Sequence, residues 1–196
     1  MAAVLALNGS PRRGGNTELL LREVADGVRQ AGGEIEIIRL SDLTMSPCIA
    51  CGGCSRTGRC VIMDDMQGLY DKVQAAQQII IASPIYFYAL SAQTKIFIDR
   101  LQAMWSRKQL LRAAKKWHQD PLGRGYLISV AATSGSRIFD GAVLCARYAY
   151  DALGFEYGGE FLARGFDGRG EVGKDDKKLR QAVQFGINIV QRQTST

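Results

Sequence analysis

Five short apolar runs, each followed by a stretch with helical spacing, limit what this chain can fold into more than any other feature. The runs are Ala2 to Asn8, Glu34 to Leu40, Gln78 to Ser83, Gly125 to Thr133 and a weaker one from Phe155 to Ala163. Helical patterns occupy Asn16 to Ala31, Met66 to Ala76, Ser91 to Met104, Arg137 to Leu153 and Asp175 to Arg192. Strands that alternate with helices are joined by crossovers, which gives a parallel sheet covered on both faces. The pattern predicts an α/β chain with a doubly wound five-stranded parallel sheet of order 2-1-3-4-5. Residues 1–196 are read as one domain, with a cysteine-bearing loop inserted at 41–66.

The first helix shows the local logic. Leu19, Leu20, Leu21, Val24 and Val28 form an apolar stripe, while Glu18, Arg22, Glu23 and Arg29 face elsewhere. Asn16 or Thr17 is the expected N-cap, and Gly32 with Gly33 ends the helix. The loop feeding it, NGSPRRGGNT, puts backbone N–H groups, hydroxyls and arginines where a helix N-terminus stabilises an anion. It spells neither G-x-x-x-x-G-K-[ST] nor G-x-G-x-x-G, which argues against a P-loop nucleotidase and a dinucleotide fingerprint. A terminal phosphate monoester such as that of FMN suits it, with Ser10, Asn16 and Thr17 donating hydrogen bonds and Arg12 adding charge. Helix capping alone is the competing explanation for Asn16 and Thr17.

Cys48, Cys51, Cys54 and Cys60 fall within PCIACGGCSRTGRC. Tight loops between them allow convergence on one metal or iron–sulfur centre, with Gly52 and Gly53 supplying unusual backbone conformations and Pro47 setting the entry. Structural zinc more often draws its ligands from two separated C-x2-C units, and a disulfide framework belongs to small secreted chains. Four free thiols remain an open alternative. Cys145, in GAVLCARYAY, is expected as a small buried hydrophobe.

Composition excludes several classes. At 46% hydrophobic and 22% charged, the chain has no low-complexity tract or repeat, and its apolar runs are interrupted too often for a membrane span. The start MAAVLALNGSPRR lacks the charged beginning of a signal peptide, so a reducing cytoplasm is expected. The net charge of +6 lies partly in the segment 105–124, where Lys108, Arg112, Lys115 and Lys116 stand beside Trp105 and Trp117. A solvated helical face explains that stretch better than a nucleic-acid site, since no recognition motif accompanies it. The single histidine, His118, is read as a surface residue and makes a histidine-based triad or metal site untenable. Asp64 and Asp65 read as a turn into the Met66 helix, and Lys95 with Asp99 as a helix-surface ion pair, with Arg100 on the same helix.

The combination of NGSPRRGGNT, CIACGGCSRTGRCVIMDDM and SPIYFYALSAQTKIFIDR resembles the NAD(P)H-dependent FMN reductases of the flavodoxin-like superfamily, and among them the iron–sulfur flavoproteins. The resemblance covers residues 2–105 by motif and the remainder by its strand–helix pattern. It implies FMN at the carboxyl ends of the strands, a [4Fe-4S] cluster on Cys48, Cys51, Cys54 and Cys60, and homodimers or tetramers with flavin sites near subunit interfaces. Residue by residue, it implies a phosphate site at Ser10, Arg12, Asn16 and Thr17. A second flavin loop falls at Ser83, Pro84, Ile85, Tyr86 and Phe87, and a third at Thr133, Ser134, Gly135 and Ser136. Tyr86, Phe87 and Tyr88 either touch flavin or fill the gap between helix and sheet.

The function that follows is an FMN-dependent oxidoreductase passing electrons between NAD(P)H, or a reduced ferredoxin-like carrier, and an acceptor. No acid–base side chain is assigned as catalytic, because such chemistry resides in the cofactors. Two alternatives stay open: a flavin or quinone reductase without a cluster, and a flavodoxin-like carrier that shuttles electrons without turning over nicotinamide. A zinc-stabilised interaction protein is a further one.

Overall fold

A computed structural model describes residues 3–117 and 121–192; His118 lies outside them. Five parallel strands form the sheet: β1 (Ala3–Asn8), β2 (Glu34–Arg39), β3 (Gln78–Tyr86), β5 (Gly123–Ala131) and β6 (Phe155–Arg164). A two-residue strand, β4 (Ala89–Leu90), folds back antiparallel on the end of β3. The order is β2-β1-β3-β5-β6, which is the expected 2-1-3-4-5 once β4 is set aside.

Strand residues alternate between two cores, as the pleat requires. Leu5, Leu7, Ile79, Ile81 and Leu127 face α3 (Met66–Ala75), α4 (Ala92–Arg100) and α6 (Asp140–Leu153). Val4, Ala6, Ile80, Ala82, Tyr126 and Ile128 face α1 (Asn16–Gln30) and α7 (Asp176–Gln191). Tyr150 ties α6 to the sheet: its hydroxyl donates to the Tyr126 carbonyl at 2.6 Å and accepts the Ile81 N–H at 3.1 Å.

Several boundaries differ from expectation. The single helix expected from Ser91 to Met104 is broken at Leu101, where ψ is −8°, and chain direction changes into α5 (Gln102–Ala113). α5 thereby absorbs much of the basic stretch. Lys108 is buried there, with its ammonium bonded to the Asp151 carbonyl, so it is not part of a solvated face. Arg107, Arg112, Lys115 and Lys116 are exposed as expected. The last strand is not weak: β6 pairs along the whole of β5, with a bulge opposite Gly125 and Tyr126. Gly15, not Asn16 or Thr17, occupies the N-cap of α1.

Candidate functional site

Three loops meet at the carboxyl edge of the sheet. The loop after β1 is held to the loop after β3 because the Ser91 hydroxyl donates to the Gly9 carbonyl at 2.6 Å, while the Ser91 N–H donates to Ser83 Oγ at 2.9 Å. The Ser129 hydroxyl donates to the Ser83 carbonyl at 2.8 Å, joining β5 to the same point. The loop after β5 comes up against the second loop, where the Tyr88 hydroxyl lies 3.3 Å from the position a Cβ on Gly135 would take. Ser83 is therefore a fully buried strut, and Thr133, Ser134, Gly135 and Ser136 are exposed at the rim. Pro84 and Ile85 are half-buried, and Tyr86 is exposed. Phe87 and Tyr88 have φ of 49° and 63°, and Phe87 is 102% exposed at the hairpin tip.

In the first loop the expected phosphate residues divide. Thr17 is only 2% exposed, yet its hydroxyl makes no hydrogen bond among the described residues. Ser10 is also buried, its hydroxyl 3.5 Å from the Cβ position of Gly15 and reaching the Arg12 carbonyl at a long 3.4 Å. Arg12 is exposed and pairs with no acid among the described residues, whereas Arg13 is held by Asp42 at 2.9 Å. The Asn16 side chain is engaged elsewhere: its amide donates to the carbonyls of Phe166 and Gly168 at 3.1 and 2.9 Å and its oxygen accepts the Val172 N–H at 3.0 Å. These bonds strap the segment after β6 across the start of α1. They bring in a cation that the sequence did not announce, Arg169, whose guanidinium lies 3.6 Å from the Cβ position of Gly14 and has no acidic partner among the described residues. Its distance along the chain hid it.

Beneath this loop Glu18 is buried among Arg22, Arg39 and the Gly14 N–H. Burial pushes its carboxyl up, but the Gly14 N–H and the two guanidiniums outweigh that and hold it below the usual carboxylate range.

The cysteine loop is built on a buried arginine. Arg100 lies on the expected helix with Lys95 and Asp99, but it is 1% exposed. Only Lys95 and Asp99 form the expected surface pair, at 2.6 Å. Arg100 grips Asp64 end-on with bonds of 2.7 and 3.0 Å, and donates to the carbonyls of Ser46 at 2.8 Å and Ile62 at 3.4 Å. Asp64 also accepts the N–H groups of Ser46 and Met66, and Asp65 accepts that of Thr44 at 2.7 Å. Both acids thus enter α3 as expected, but their main task is to pin the two ends of the cysteine loop together. The Arg100 bond is the leading reason that the Asp64 carboxyl stays below its ordinary range.

Cys48, Cys51, Cys54 and Cys60 all line one cavity of about 230 Å3, walled by Ile49, Val61 and Ala103 and floored by Arg100 and Ser106. Among the described residues no three Cys, His, Asp or Glu side chains are gathered closely enough to grip a single metal ion. A cluster of several irons takes each thiolate on its own iron and spreads its ligands more widely than one zinc does. Gly52 has φ of 68°, as the tight loop demands; Gly53 is ordinary helical backbone, and Ala50 takes the second left-handed position at 52°. Cys145 is half-buried, not buried, and lines a separate groove with Trp105 and Tyr148. Burial pushes its thiol up.

A doubly wound sheet with loops gathered at its carboxyl edge defines a class of ligand-binding α/β protein. Among solved structures, the chain superposes on the Trp repressor binding protein from Bacillus subtilis with a TM-score of 0.63 and 24% identity, covering 93% of this chain and 98% of that one. It superposes on a flavodoxin from the domain Archaea with a TM-score of 0.57 and 15% identity, over 98% of each. These likenesses establish a flavodoxin-like fold. The sequence profile of the NADPH-dependent FMN reductase family matches residues 2–141, and the chain belongs to that family. An iron–sulfur flavoprotein of Methanocaldococcus jannaschii is 43% identical over 97 residues, 50% of this chain and 50% of that protein. One of Methanosarcina thermophila is 37% identical over 97 residues, 50% and 51% of the two. The matched stretch is thus about half the length of these curated relatives. No helix among the described residues is long and apolar enough to cross a membrane.

Proposed function

We propose that this chain is an FMN-dependent oxidoreductase that takes electrons from NAD(P)H or a reduced carrier and delivers them to an acceptor, with a [4Fe-4S] cluster on Cys48, Cys51, Cys54 and Cys60. The observation that carries the flavin half is the set of weakly used donors around one helix N-terminus: the Thr17 hydroxyl and the guanidiniums of Arg12 and Arg169, which have no partner among the described residues, and the Ser10 hydroxyl, held only by a long bond to the Arg12 carbonyl. A phosphate monoester satisfies all of them. Asn16 serves the site by holding the Arg169 segment in place rather than by donating its amide. Tyr86, Phe87 and the loop 133–136 offer exposed apolar and polar surface for a planar ring at the same edge.

The cluster half is supported by the shared cavity, its apolar walls and its all-thiol donor set. FMN when bound accepts electrons in pairs and an iron–sulfur cluster passes them singly, so holding both makes a converter between two-electron and one-electron partners. The chain's own residues bind, orient and shield these groups. The thiolates need a reducing compartment, which favours the cytoplasm. Homo-oligomeric assembly goes with this reading, and exposed Trp105, Leu144 and Tyr148 provide apolar surface for it.

Anaerobic purification followed by flavin, iron and acid-labile sulfide analysis tests the proposal, with rapid mixing against NADH and NADPH while flavin absorbance is followed. One FMN with four irons per chain, and bleaching by either nicotinamide, is the expected result. Protein that takes up no FMN overturns it. Flavin that no nicotinamide bleaches leaves a carrier instead of a reductase.

A further inference from the structure

Two residues that line the thiol cavity, Arg100 and Ser106, carry buried donors that the fold does not fully use. A guanidinium has five N–H groups, and Arg100 spends four of them on Asp64, Ser46 and Ile62. The fifth, on Nε, is buried and makes no hydrogen bond among the described residues; the Tyr70 hydroxyl, which sits beside the guanidinium, is spent as a donor on the Arg100 carbonyl. Because Asp64 binds end-on through the two terminal nitrogens, Nε is left to the side of the fork, and Arg100 lines the cavity together with Cys60. Six residues after Arg100, past the break at Leu101, Ser106 is 3% exposed and donates to Cys54 Sγ at 3.7 Å. A buried donor without an acceptor is costly, and natural structures keep few. Sulfur that carries negative charge supplies the missing acceptor.

We propose that Arg100 Nε–H and the Ser106 hydroxyl are built as hydrogen-bond donors to the sulfurs of the metal centre on the Cys48–Cys60 loop, and that they raise its reduction potential. This rests on the cluster reading given above. The reduced centre bears one more negative charge than the oxidised one, so donors aimed at its sulfurs stabilise the reduced form more. The two helices that meet at Leu101 each supply one donor, which makes the bend itself part of the site. Arg100 has a second task in pinning the loop through Asp64; Ser106 has none that the structure shows, and it separates the two effects. Both are positioning residues, acting on the centre through its ligands.

The experiment compares the anaerobically purified full-length wild type with S106A, S106T and R100K. Iron and sulfide per chain are measured first, then the midpoint potential by redox titration followed by electron paramagnetic resonance, with circular dichroism melting as a check on folding. S106A is expected to carry wild-type iron and sulfide, while its reduced-to-oxidised ratio at a fixed potential falls several-fold; a tenfold fall corresponds to about 59 mV for one electron. S106T keeps the hydroxyl and is expected to restore the potential. R100K keeps the charge, lacks Nε–H and is expected to shift in the same direction as S106A. S106A with full iron content and an unchanged midpoint overturns the inference, and decides it even if R100K fails to load. Wild type with no iron or sulfide, after purification and reconstitution, removes the cluster reading and this inference together.

Discussion

Arg100 and Asp64 form the pair on which the cysteine loop depends, and its burial sets what its loss costs. Both side chains are almost wholly shielded, so removing one leaves the other charge without compensation. Asp64→Asn is expected to cost about 3–5 kcal/mol, read from urea unfolding. A loss below about 1 kcal/mol would put the pair among ordinary surface contacts. The pH dependence has a definite sign. Because the folded carboxyl titrates below its ordinary value, its contribution is complete above about pH 4 and disappears as pH falls through the folded value. Wild type is therefore expected to lose stability between pH 5 and pH 2 more steeply than D64N, as followed by urea midpoints; Glu18, shifted the same way, contributes to both proteins equally. At the proposed phosphate loop, Thr17→Ala removes a hydroxyl that makes no hydrogen bond among the described residues, so FMN affinity is expected to fall about tenfold or more, the worth of one hydrogen bond to a charged group. Flavin fluorescence quenching measures it, while unfolding midpoints stay near wild type. That Ser10, Arg12 and Thr17 lie together could be read because they share one contiguous loop. Arg169 was not, since only the Asn16 strap brings it there.

At the scale of elements, α1 and α7 approach more closely than side chains allow. A Cβ on Gly186 would lie 2.0 Å from the Val24 carbonyl oxygen, and one on Gly27 would lie 2.0 Å from that of Val183. Backbone meets backbone there, so no rotamer change relieves the clash. Gly186→Ala is expected to destabilise by about 1–3 kcal/mol despite the better helix propensity of alanine. Gly68 in α3 has nothing within 4 Å of its Cβ position, so Gly68→Ala is expected to stabilise by about 0.5–1 kcal/mol. Thermal melts of the two variants should move in opposite directions; equal shifts would sink the argument from close approach. The strands and the helices α1, α3 and α7 could be read from apolar spacing, and the strand order from the doubly wound pattern that their alternation implies. The break at Leu101 could not, because Leu101, Ala103 and Met104 continue an apolar pattern compatible with one straight helix. The burial of Arg100 could not be read either: helical spacing says which residues share a face, but not that the loop before α3 folds over Arg100. β6 looked weak through its paired glycines, yet pairing with β5 along its whole length overrides their low strand preference.

For the molecule as a whole, the carboxyl edge of the sheet keeps two cations without an acidic partner among the described residues. Most of the acids there are spent: Glu18 on Arg22 and Arg39, and Asp42 on Arg13. Arg12 and Arg169 remain, so the excess of positive charge, +6 over the chain, has a local expression at the start of α1. On the proposed reading, an anion bound in that residual field stabilises the folded state. A ligand that binds only the native protein, at 100 times its dissociation constant, adds about 2.7 kcal/mol. For a chain of this size the gain corresponds to a rise in Tm of about 5–10 °C. Riboflavin carries the same ring without the phosphate, so at equal concentration it is expected to raise Tm by much less, and inorganic phosphate alone should recover a small part of the shift. Added salt should weaken the FMN effect, because both guanidiniums are exposed and screened within about 8–10 Å. Differential scanning fluorimetry across FMN, riboflavin and phosphate checks all three. Equal shifts with FMN and riboflavin would mean that the ring, and not the phosphate, is what the unspent donors around Thr17 serve.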